Sequence, residues 1–177
     1  MEQSEEELLN KLIILFVMDK MDIGLTESSI VKICYEENGW IKQPLICNDT
    51  VNRLVASKLI LKVRQGREKD CLCTLTPDGR TCLANFYTRI PESLRQDISE
   101  FVKVNRMDYK RKQVYKHTYF KNSDGTYTVQ LKIVEPAVTV LNLELNVANN
   151  KTAKYIHQNW EKKAASFYMN LLEQLTE

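Results

Sequence analysis

The sequence is poor in several residues and patterns that mark whole protein classes. Its 177 residues include five glycines, four prolines and two histidines. So little glycine excludes a collagen-like or glycine-rich low-complexity chain, and no stretch supplies the glycine-rich loop that cradles a phosphate. The longest apolar run, Leu12 to Met18, is far too short to span a bilayer. The first residues, Met1-Glu2-Gln3-Ser4-Glu5, are acidic, whereas a secretory signal starts basic and continues apolar. The cysteines, Cys34, Cys47, Cys71, Cys73 and Cys82, are odd in number, and none has CxxC spacing. Zinc sites want at least two residues between paired cysteines and a second pair, which Cys71 and Cys73 lack. His117 alternates with Tyr115 and Tyr119 along a strand pattern, and His157 has no evident acidic partner. These absences predict a cytoplasmic protein with reduced thiols, no metal, no cofactor and no catalytic residues, hence not an enzyme.

What is present is an uneven distribution of charge. The formal net charge is +2. Residues 1–52 nevertheless carry ten acids against four bases. Residues 53–69 reverse the balance with Arg53, Lys58, Lys62, Arg64, Arg67 and Lys69 against Glu68. A second basic stretch runs from Lys103 to Lys121, with Asp108 as its single acid. Local basic patches on a near-neutral chain suit a polyanion partner, and a plain solvated surface is the lesser alternative.

Periodicity gives the elements. Ser4-Glu5-Glu6-Glu7 has the form of a capping box ahead of a first helix. The apolar residues that follow wrap most of that helix, which predicts burial on more than one face, for instance between two subunits. Thr26 caps a second helix, with Leu25 and Ile30 as its hydrophobic staple, and Asn38-Gly39 ends it. A third helix runs from Pro44 or Cys47 to about Lys58, with Cys47, Val51, Leu54 and Val55 forming one stripe. Leu59–Arg64 and Cys71–Leu75 pattern as a hairpin around the polar loop Gln65 to Asp70. Thr76 caps the next helix, with Pro77 in its first turn. Ile90-Pro91 marks a boundary, followed by a helix to about Arg106. The period then changes to two over Tyr127–Ile133 and Thr139–Val147, and Asp124-Gly125 marks a hairpin between Val114–Lys121 and Thr126–Glu135. Residues from about Asn150 to Gln174 form a long final helix.

The predicted fold is α+β. A winged helix-turn-helix over residues 1–90 is followed over 91–177 by a helix, a three-stranded antiparallel sheet and a long C-terminal helix, as a sensor or dimerisation domain. Such an N-terminal arrangement offers the outer face of its third helix to a major groove and its hairpin to phosphates. The candidate DNA-contacting residues are Asn48, Asp49, Asn52, Arg53 and Ser57 on the helix and Arg64, Gln65, Arg67 and Lys69 in the hairpin. Arginine and asparagine can read guanine and adenine bidentately.

Leu54-Val55-Ala56-Ser57-Lys58-Leu59-Ile60 resembles the end of a recognition helix running into a wing in PadR-like and MarR-like regulators. Leu75-Thr76-Pro77-Asp78-Gly79-Arg80 resembles their LTxxG segment. Lys58 stands where such regulators often have glycine. Through Phe86-Tyr87-Thr88-Arg89-Ile90-Pro91, Leu131-Lys132-Ile133-Val134-Glu135 and Asn159-Trp160, the whole chain resembles a bacterial family catalogued as a domain of unknown function. The resemblance implies a winged-helix transcription regulator. The third helix and hairpin predict double-stranded DNA as its partner, and the apolar surface of the first helix with the aromatic residues along the last predicts a homodimer. Two other readings stay open. One is a winged-helix protein-interaction module without DNA. The other is a sensor for a small-molecule effector, which needs an open apolar pocket among Tyr127, Val129, Leu143 and Trp160.

Overall fold

The first helix, α1 (Glu2–Met21), has no solvent-facing side over its middle turns: every residue from Leu12 to Met18 is at most 2% exposed. In the computed structural model, which describes residues 2–64, 71–135 and 138–176 (backbone alone for residues 2 and 3), α1 is enclosed by the chain's own elements. These are α3 (Pro44–Ala56), β2 (Cys71–Leu75) and α4 (Pro77–Phe86). The apolar excess of α1 therefore calls for no second subunit, contrary to the expectation drawn from its sequence.

Ser4 lies inside α1, so the capping box is not formed. Glu7 turns outward instead, accepting from Lys11 Nζ at 2.8 Å and from Arg53 Nη1 on α3 at 2.7 Å. At the other end of α1, Arg80 of α4 pairs with Asp19 and Asp22.

Helix α2 (Glu27–Val31) begins as expected, with the Thr26 hydroxyl accepting from Ser29 N–H at 3.1 Å. It continues as a π-helical turn, Lys32–Glu37. Gly39, at φ +64°, and Asn38, whose amide donates to Ile33 O, close that turn. Cys34 and Cys47 neighbour one another as fully buried free thiols, and that contact together with burial pushes Cys34 up. β1 (Ile60–Arg64) pairs antiparallel with β2, and Leu25 bridges to Cys73 through two backbone hydrogen bonds. Burial raises the Cys73 thiol to about 11. A 3₁₀ turn, Tyr87–Arg89, leads into α5 (Glu92–Val114).

Helix α5 outruns the Arg106 end expected for it by two turns. Its apolar stripe fades there, but Tyr109 is buried beyond it. The contacts divide the chain inside this helix, into Met1–Arg106 and Met107–Glu177, rather than at the prolyl boundary at 90/91. Ile98 and Val102 are buried, and Phe101 meets Trp40 edge-on at 5.7 Å, which ties most of α5 to the first unit.

The second unit is α+β as the alternation requires. β3 (Tyr115–Lys121), β4 (Tyr127–Val134) and β5 (Thr139–Val147) form an antiparallel sheet in that order, against which α6 (Asn150–Thr176) packs. Gly125, at φ +87°, serves the β3–β4 turn. Val129, Leu131 and Ile133 meet Ala153, Trp160 and Ala164, with Tyr127 and Leu143 packed alongside. The residues expected to line an effector pocket thus pack together in one hydrophobic cluster. Among the described residues no helix is long and apolar enough to cross a membrane.

The protein's two histidines meet between β3 and α6. Their ring centroids are 4.2 Å apart, His117 Nε2 lies 3.1 Å from Glu161 Oε1, and Tyr119 stacks edge-on against His157. Burial first, and His117 second, hold His157 below the usual imidazole range. The unfolded chain then binds a proton that the folded one resists. This part of the stability is complete above about pH 6.5 and is lost as pH falls through the lower folded value. Urea unfolding of His157→Gln should show a shallower loss between neutral and mildly acidic pH than the parent; an unchanged pH profile would exclude His157 as the source.

Candidate nucleic-acid interface

Helix α3 buries Cys47, Thr50, Val51 and Leu54 and exposes the opposite face. On that face the structure brings together Asn48, Asp49, Asn52 and Arg53, with Ser57 at the helix C-cap. All five are exposed. Their partners differ. Arg53 is held twice, by Asp49 through Nε at 2.8 Å and by Glu7 through Nη1. Glu7 and then Asp49 keep the guanidinium firmly protonated, while Lys11 and Arg53 hold Glu7 below the ordinary carboxylate range. Asn52 accepts weakly from Lys62 Nζ at 3.5 Å, and Lys62 pairs with Glu27. The Ser57 hydroxyl donates to Arg53 O and Leu54 O at the helix end. Asn48 and Arg64 have no side-chain partner among the described residues. Gln65, Arg67 and Lys69 lie outside the described residues.

The passage from α3 into the hairpin depends on two residues that the sequence marks. Lys58 adopts φ +61°, the left-handed conformation that favours glycine, and its side chain is exposed. Thr76 fastens the same corner. Its hydroxyl contacts Lys58 O at 2.8 Å and Leu59 O at 3.0 Å, while its oxygen accepts from Gly79 N–H at 3.0 Å. A single side chain thus caps α4 and satisfies carbonyls at the end of α3. Gly79 is required by contact rather than by φ. A Cβ there would sit 2.3 Å from Leu59 O and 2.7 Å from Leu75 Cδ1.

The signals for Thr76, Gly79 and Lys58 were therefore legible in the sequence. The pairing of Arg53 with Glu7 was not, because it joins residues 46 apart. Among the described residues no group of three or more His, Cys, Asp or Glu is placed to hold a metal ion.

A family model described as "Domain of unknown function (DUF4364)" matches residues 10–175. No curated protein and no solved structure matches the chain.

The corner makes two opposite expectations. Gly79→Ala should destabilise by about 1–3 kcal/mol, because a backbone carbonyl cannot step aside as a flexible side chain would. Lys58→Gly should stabilise by roughly 1 kcal/mol by relieving the left-handed backbone. Denaturant midpoints of the two variants measure both, and shifts of the same sign would refute this account of the corner.

Proposed function

We propose, from the premise that the chain belongs to the DUF4364 family over almost its whole length, that it is a sequence-specific regulator of transcription acting on double-stranded DNA through a winged helix-turn-helix. The observation that carries this reading is the juxtaposition of α3 with the hairpin that follows it. A polar, exposed helix face bearing Asn48, Asn52 and Arg53 leads through Lys58 into a strand ending at Arg64. Such a helix suits a major groove, and cations beside it suit phosphates. Kinship with PadR-like and MarR-like regulators, a cytoplasmic location and a homodimer belong to the same reading. The LTxxG-like segment supports the first through the Thr76 and Gly79 contacts.

A second reading has its own support. Arg53 is engaged by two carboxylates, and the hairpin exposes Leu61 and Val63 at 57% and 43%. A neutralised helix beside an apolar strand face suits a protein partner.

Titration of labelled duplexes at several salt concentrations separates the two. Arg64→Ala should weaken binding to all sequences alike and lower the salt slope by roughly one unit. Asn48→Ala or Asn52→Ala should cost about 1–3 kcal/mol only at particular base pairs. Affinity and slope unchanged in all three variants would set the DNA reading aside in favour of a protein partner.

The homodimer now rests on α6, whose last turns leave Phe167, Met169, Leu172 and Leu175 exposed. The parent should sediment as a dimer at micromolar concentration, and Leu172→Glu with Leu175→Glu as a monomer. A monomeric parent would remove the dimer from the proposal.

A further inference from the structure

An open cleft of about 690 Å³ lies within the first unit, formed by the first turns of α1, the segment before α3 and the 3₁₀ turn after α4. Leu8, Leu9 and Trp40 give it an apolar wall. Trp40 is steadied by its edge-on contact with Phe101. Asn10 also lines the cleft, yet it is only 7% exposed, and its carboxamide makes no hydrogen bond to any described residue. No amide atom of Asn10 is sealed from solvent, so its donors and acceptor open onto the cleft and are free to meet a ligand.

We propose that this cleft binds a short peptide with free termini and an apolar side chain. The charges lining it select that class. Glu6 and Lys42 answer one another at 3.0 Å. Glu5 and Arg89 line the same cleft, and neither is ion-paired with a described residue. One unpaired carboxylate and one unpaired guanidinium match a zwitterion. A simple organic acid would leave Glu5 unanswered, and a simple amine would leave Arg89 so. The guanidinium takes a terminal carboxylate through two parallel bonds, and Glu5 takes the terminal ammonium. A carboxamide has one acceptor and a pair of donors, which complement the N–H and C=O of a peptide unit. Leu8, Leu9 and Trp40 receive the side chain. The volume lies within the range usual for small-ligand sites and leaves room for two or three residues.

The test titrates the full chain, without DNA, with the tripeptide Leu-Ala-Leu by calorimetry, while the Asn10 side-chain amide is followed by NMR. Saturable heat and a shift of that amide are expected. Acetylating the amino terminus or amidating the carboxyl terminus should each weaken binding by about tenfold, as loss of a charge-assisted bond does. Arg89→Gln should weaken the uncapped peptide equally and make binding indifferent to amidation. Glu5→Gln should do the same for acetylation. Both residues are exposed, so these variants fold even where Asn10→Leu does not. No heat and no shift at millimolar peptide would overturn the proposal. So would capped peptides that bind as tightly as the free one; equal binding of the acetylated peptide alone would reassign the cleft to carboxylates. Because DNA is absent throughout, failure here leaves the DNA reading untouched.

Discussion

A helix whose middle turns have no wet side governs the first unit. Burying Leu12 to Met18 is worth roughly 10–20 kcal/mol at 1.5–3 kcal/mol per large apolar side chain, an upper figure because unfolded chains already bury some surface. An exposed ion pair contributes about 0–1 kcal/mol. The enclosure of α1 by α3, β2 and α4 is therefore the term that fixes where the other elements go. It also forces polar chemistry to the two ends of α1. Glu7 with Lys11 and Arg53 occupies one end, and Asp19 and Asp22 with Arg80 the other. Asn10 sits where the dry middle begins, which is how a buried carboxamide comes to line a cleft.

The same arrangement shapes what α3 offers to a partner. Its inner face is packed against α1, so its outer face offers the polar side chains of Asn48, Asp49, Asn52 and Arg53. Arg53 enters any encounter with its charge already answered. Its pairs with Asp49 and Glu7 are half-exposed, so exchanging them for a base or phosphate costs little. Under the proposed DNA reading, this surface would work through amides and a movable arginine more than through net charge. On that reading, non-specific attraction would fall to cations such as Lys58 and Arg64.

Much of this was legible in the sequence wherever the cause is local. Alternation placed β4 and β5 because a strand's side chains change face at every residue. Thr26 and Thr76 announced helix starts because each hydroxyl serves an amide three residues on. Features with distant causes were hidden. Ser4 and Glu7 fit a capping box, but Arg53, far along the chain, claimed the glutamate. The apolar girth of α1 suggested a second subunit because a sequence does not say how many elements its own chain will wrap around a helix. Helix α5 was expected to end near Arg106 because its solvated, charged turns beyond that point carry no apolar period. The cleft was invisible because residues near 10, 40 and 89 share no pattern.

The cysteines turn that packing into something that can be timed. Cys34, Cys47 and Cys73 have no exposed surface, and they lie in three different elements: the π-helical turn, α3 and β2. Each can react with a thiol reagent only when its own neighbourhood opens, since the reactive thiolate needs both access and a lost proton. Cys71 and Cys82 keep partial access and would react first. The order and rates of modification would therefore separate the opening of β2 at Cys73 from that of the Cys34–Cys47 contact, with the unaltered chain as its own clock.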